Sequence, residues 1–116
     1  MNKPTQFNSQ SQSDWELTAY NNQKITDINH MNKLVKLDAS GNSGLDDQGI
    51  SQLNLIELNA CDNPKITDLN HMNKLVKLNA NGMDCGLNDK SIGQLNLIKL
   101  TTYNNQKITD INHMSS

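Results

Sequence analysis

The sequence predicts an α/β repeat solenoid. One parallel β-sheet lines its concave face, and short helical, 3-10 or extended segments return the chain along the convex face. Three observations predict it. The stretch "YNNQKITDINHM" occupies residues 20–31 and returns unchanged at 103–114, with a near copy, "NPKITDLNHM", at 63–72. The ITD element begins at 25, 66 and 108, a period of 41 to 42 residues. That period halves: "DWELTA" starts at 14, "LVKLDA" at 34, "LIELNA" at 55, "LVKLNA" at 75 and "LIKLTT" at 97. The unit is therefore 20 to 22 residues long and occurs five times between Asp14 and about Met114. A unit this short cannot bury its own apolar stripe, whereas stacked units close one another's faces.

The strands come first in each unit. Residues alternate in and out around the second leucine, as in Lys36-Leu37-Asp38-Ala39, which is the period of a short strand. The return segments take two forms. Form A, "ITDINHMNK", serves units one, three and five. Form B, "LDDQGISQLN" or "LNDKSIGQLN", serves units two and four. Form A supplies inward apolar residues such as Ile28 and Met31, and form B supplies Ile50 and Leu53. Each return also places an aspartate after its first aliphatic residue: Asp27, Asp47, Asp68, Asp89 and Asp110. Aspartate at the start of a turn is a natural helix N-cap. Short helical turns are expected there, with no room for a long helix.

The combined pattern LxxLxAxxNxxI, at 20- to 22-residue spacing over 14–114, resembles the leucine-rich repeat family. Form A is similar to the short repeats of bacterial internalins. Form B, with its DDxxI, is closer to the cysteine-containing type found in F-box proteins. The chain departs from that consensus where Ala or Thr fills the third apolar position, which slims the core. In unit four, "NANGMDCGL" carries an extra residue and puts Met83 or Asp84 where asparagine is expected, so a local bulge is predicted. The resemblance implies that Asn22, Asn42, Asn63 and Asn105 point inward as an asparagine ladder, bonding backbone groups where the chain leaves each strand. It divides the chain into a polar tail, 1–13, and a repeat domain of five units, 14–116.

The resemblance also implies a function: a non-catalytic protein–protein interaction scaffold that binds a partner protein through the concave sheet. Proteins of this style occur in bacteria and viruses that live inside eukaryotic cells, so a host protein is the expected partner and an effector role the expected setting. Two alternatives stand beside it. One is a self-assembling module, a dimer or stack through uncapped solenoid ends. The other is a substrate-recognition fragment of a larger protein. On the sheet face one column reads Glu16, Lys36, Glu57, Lys77, Lys99, and the next Thr18, Asp38, Asn59, Asn79, Thr101. A third reads Tyr20, Ser40, Cys61, Asn81, Tyr103. The alternating charges suit cross-strand pairing, so a self-paired, solvated face stands against a binding face. Tyr20 and Tyr103 are the best anchors for a partner, tyrosine being enriched at interface hot spots. Trp15 is placed to cover the first unit.

Composition removes other classes. All ten basic residues are lysine, while asparagine occurs nineteen times. Without arginine the chain lacks the forked donor favoured for guanine and phosphate, which argues against nucleic acid. A net charge of −2 and no long apolar run argue against a membrane. His30, His71 and His113 recur two units apart, about 9–10 Å by strand spacing. That is too far to share a zinc whose nitrogens lie about 2.0–2.1 Å away. They read as turn residues, so no metal and no cofactor is expected. Cys61 and Cys85 have neither a CxxC spacing nor a neighbouring histidine, and no nucleophile elbow or phosphate loop appears. The chain reads as no enzyme. Residues 1–14 show no signal-peptide pattern. A cytoplasmic, reducing setting is the default, with export by a route needing no cleavable signal left open.

Overall fold

The computed structural model describes residues 13–110. It is a parallel β-solenoid of about four turns. Five three-residue strands follow one another: β1 (Glu16–Thr18), β2 (Lys36–Asp38), β3 (Glu57–Asn59), β4 (Lys77–Asn79) and β5 (Lys99–Thr101). They form one sheet in chain order, every pair parallel. Leu17, Leu37, Leu58, Leu78 and Leu100 are direct partners on successive rungs. The register is the one the hydrophobic pattern demands, because a one-residue slip would turn every leucine out to solvent.

The ladder outlasts the three-residue strands at both ends. Before each strand an upper rung donates downward, as in Lys36 N–H to the Trp15 carbonyl (3.0 Å) and Lys99 N–H to that of Val76 (3.0 Å). After each strand a lower rung donates upward, as in Ala19 N–H to Asp38 (2.7 Å) and Ala80 N–H to Thr101 (2.8 Å). Four residues past each central leucine the backbone turns left-handed: Asn21 (φ 55°), Gly41 (71°), Asp62 (56°), Gly82 (105°) and Asn104 (61°). Only glycine, asparagine and aspartate visit this region readily, and only those three types occupy the position. At Gly41 and Gly82 space decides as well. A Cβ there would lie 2.2 Å from Asn21 Oδ1 and 1.9 Å from Asp62 Oδ1, respectively.

The core is a single row of aliphatic side chains threaded through the coils. Ile28, Leu45, Ile50, Leu55, Ile66, Leu69, Met72 and Leu87 are fully buried. The alanines at the third position, Ala19, Ala39, Ala60 and Ala80, are also fully buried and keep the coil thin.

The helical component of the expected α/β class is absent among the described residues: the returns are turns and extended chain. In form A, Met31 N–H donates to Ile28 and Leu34 N–H to Met31 (2.9 and 3.0 Å). These bonds are spaced three residues apart, whereas a 3-10 helix needs them at consecutive residues. The aspartates therefore cap no helix. Asp27 and Asp68 accept from the backbone of Asn29 and Asn70 two residues on (both 3.0 Å), closing Asx turns. Asp47 and Asp89 reach the next coil instead. The expected tail lies almost wholly outside the described residues, as does His113. Trp15, expected over the first coil, is 51% exposed.

Candidate interaction surface on the concave face

Each strand presents two side chains to the concave side, on either face of its inward leucine, which is buried in β1 to β4 and half-buried in β5. In the first column Lys36 Nζ lies 3.7 Å from Glu16 and 3.9 Å from Glu57, and Lys77 Nζ lies 3.6 Å from Glu57. Register creates these pairs, since Glu16, Lys36, Glu57 and Lys77 are successive partners. Lys99 meets Lys77 and makes no ion pair among the described residues. In the second column Asp38, Asn59 and Asn79 each accept, through Oδ1, the backbone N–H two residues on: Ser40, Cys61 and Asn81, at 2.9–3.0 Å. Asp38 also accepts from the Ser40 hydroxyl (2.5 Å). The amide NH₂ groups of Asn59 and Asn79 keep their donors unspent among the described residues. Between the columns runs a groove of about 380 Å³, lined from Glu16 and Thr18 at one end to Lys99 and Thr101 at the other.

Tyr20 and Tyr103 do not line this groove. They stand at the corner past the strand, 56% and 79% exposed, because the third residue after the leucine already belongs to the left-handed turn. Cys61 shares that corner column and is half-buried.

The expected polar ladder exists on alternate rungs only. Asn63 is fully buried, and its amide donates to the carbonyls of Ala39 (2.7 Å) and Leu45 (3.2 Å) on the rung below. Asn105 does the same to Ala80 (2.9 Å) and Leu87 (3.2 Å). Their Oδ1 atoms accept from Lys65 and Lys107 N–H, and Asn22 Oδ1 accepts from Lys24. Asn42 departs from expectation: it is exposed, and its N–H donates to Asn21 Oδ1 (2.8 Å). The corner of unit two has the same length as those of form A, but its inward place is taken by Ser43, two residues before Leu45 and 1% exposed, where form A uses the asparagine three residues before its aliphatic residue. In unit four the inward residue is Cys85, neither Met83 nor Asp84. The missed signal is the shared run before the aliphatic residue, Ser43-Gly44-Leu45 and Cys85-Gly86-Leu87. Lys65 Nζ then donates to the Ser43 carbonyl (3.3 Å) and Lys107 Nζ to that of Cys85 (2.8 Å).

A second set of polar links on the convex side was also missed. Asn29 Nδ2 donates to the Gln48 carbonyl (2.9 Å) and its Oδ1 accepts from Gln52 N–H (2.8 Å). Asn70 repeats this with Lys90 and Gln94 (both 2.8 Å). Asp47 Oδ1 accepts from Thr67 N–H (2.7 Å) and Asp68 N–H (3.2 Å), and its Oδ2 from the Thr67 hydroxyl. Asp89 treats Thr109 and Asp110 alike, and those donors hold its carboxyl below the usual carboxylate range. His71 Nε2 lies 3.4 Å from the Ile50 carbonyl on the convex side, remote from the groove.

Burial raises both thiols above the ordinary cysteine value. Cys61 is pushed further by Asp62 and Asp38, while the Leu87 backbone and Lys107 partly offset the rise at Cys85. Thiolate chemistry is suppressed at each. A neutral-pH alkylating reagent is expected to label Cys61 slowly in the folded protein and Cys85 only on unfolding. Equal labelling rates in the native state would contradict the burial of Cys85. Comparison with known proteins returns no matching family model, curated protein or solved structure.

Proposed function

We propose that the chain is a non-catalytic protein-interaction scaffold of the leucine-rich-repeat type, holding an extended segment of a partner protein in its concave groove. The observation that supports this reading best is the groove itself, one continuous channel over all five strands. A rigid ladder beneath it fixes the side chains, so little ordering entropy is lost on binding. The Asn59 and Asn79 amides offer donors, and the second Asp38 oxygen an acceptor, at rung spacing.

The internal ion pairs do not close the face. Exposed pairs are each worth about 0–1 kcal/mol, so a partner's charges replace them at small cost while still selecting register. The resemblance of form A to internalin repeats extends the proposal to a host protein as partner and to an effector role. In the described residues, no helix is long and apolar enough to cross a membrane. Asn59→Arg puts a long side chain into the middle of the groove and leaves both ends of the sheet untouched. Immobilised chain incubated with host-cell lysate should retain a protein that Asn59→Arg, still folded though without the Asn59 acceptor for Cys61 N–H, does not. Equal recovery by both, or none above a blank support, would remove the proposal.

A further inference from the structure

The two edges of the sheet carry complementary halves of one rung-to-rung contact, and we propose that copies of this chain associate head to tail, β5 of one against β1 of the next. The backbone pattern is the first support. At every internal step the N–H groups two and four residues past the leucine donate upward, and the carbonyl two before it accepts from above. At β5 the equivalents, Thr102 N–H, Asn104 N–H and the Ile98 carbonyl, meet no strand among the described residues. At β1 the matching acceptors, the Thr18 and Tyr20 carbonyls, and the Glu16 N–H likewise meet no strand among the described residues. The donors and acceptors at the two edges match those of every internal step, so a second copy set in the same register would continue the ladder.

Charge is the second support. The column Glu16, Lys36, Glu57, Lys77 pairs internally at 3.6–3.9 Å and ends on Lys99, which lacks an acidic partner among the described residues. The next copy's Glu16 falls one rung above Lys99 and restores the alternation. Exposed apolar groups are the third. Ile98 (65% exposed) and Trp15 (51%) occupy the same column, as do Tyr103 (79%) and Tyr20 (56%). Head-to-tail contact brings each into register with its counterpart, burying apolar area at the joint.

The joint is weaker than the internal ones. Inside the solenoid, form A always meets form B. Here form A of unit five would meet form A of unit one, a pairing that no internal joint uses. A reversible, concentration-dependent chain of copies follows, weakened by salt because Lys99 and Glu16 are exposed or half-exposed.

Sedimentation velocity from micromolar to millimolar concentration tests this directly. The average mass of the wild type should rise with concentration. Lys99→Glu and Glu16→Lys should each shift the association midpoint by about tenfold, since each turns an attraction into a repulsion. Mixing the two variants should restore association, because every joint then again pairs Glu with Lys. Thr102→Pro removes an open-edge donor and should leave a folded monomer. A wild type monomeric throughout, or single reversals that associate as well as wild type, overturns the proposal. Loss with Thr102→Pro but no rescue on mixing overturns the head-to-tail order in favour of a symmetric edge contact. Asn59→Arg should associate normally, which separates this result from failure of the groove reading.

Discussion

Asn63→Leu should destabilise the protein by about 3–5 kcal/mol, while Asn22→Leu should cost less than about 1 kcal/mol. The side chains share one place in the repeat and one Asx bond, to Lys65 N–H and Lys24 N–H. The rung below distinguishes them. The Asn63 amide satisfies the carbonyls of Ala39 and Leu45 inside the core, and a leucine leaves both without a donor. Each buried orphan costs about 1–3 kcal/mol. Asn22 sits on the first rung, half-buried, with no lower carbonyl to satisfy among the described residues. Asn105 makes the bonds of Asn63, yet its replacement should cost less than that of Asn63. It belongs to the last described coil, where local opening need not take the whole array with it. Urea midpoints of the three variants check the order. Equal effects at Asn22 and Asn63 would mean that the side chain acts through its own turn and does not link rungs.

These contrasts show what the sequence made legible. Strand positions and register followed from the leucines, because the two-residue period admits one way of burying Leu17, Leu37, Leu58, Leu78 and Leu100 together. The charge column followed from the register. The corners did not follow as readily. Counting forward from the strand puts Asn42 inward, but in the glycine corners of form B the inward residue lies two before Leu45 and Leu87, whereas in form A it lies three before Ile66 and Ile108. The left-handed position four past each leucine was in plain view as Asn, Gly, Asp, Gly, Asn. Its meaning depends on knowing where each strand ends. The expected helical turns failed for another reason. An aspartate that caps a helix and one that ties two coils look alike in a single chain, and only stacking reveals that Asp47 and Asp89 serve the coil above. Tyr20 and Tyr103 share one column of the repeat, but that column leaves the sheet past the strand and does not line the groove.

Gly86→Ala should destabilise by about 2–3 kcal/mol, whereas Gly93→Ala should be neutral or stabilise by about 0.4–1 kcal/mol through the unfolded state. Neither glycine has a left-handed φ, so conformational preference does not separate them. Space does. A Cβ at Gly86 would lie 2.6 Å from the Pro64 carbonyl oxygen and 2.8 Å from that of Ile66, both backbone atoms of the rung below. At Gly93 the nearest atom is 3.4 Å away, an ordinary contact. Gly44 repeats the crowding of Gly86, with the Gln23 and Ile25 oxygens at 2.4 and 2.7 Å. Gly44 N–H and Gly86 N–H donate to the Asn22 and Asn63 carbonyls (both 3.0 Å). The two kinds of joint are thus built differently. Where form B sits on form A, backbone meets backbone at a glycine. Where form A sits on form B, Asn63 and Lys65, or Asn105 and Lys107, reach down with side chains. An alanine at Gly86 pries open the first kind in the middle of the array, and a leucine at Asn63 unties the second. If thermal unfolding of Gly86→Ala matched that of Gly93→Ala, the close backbone approach would not be what joins units three and four. The alternation of the two forms would then need a cause other than complementary joints.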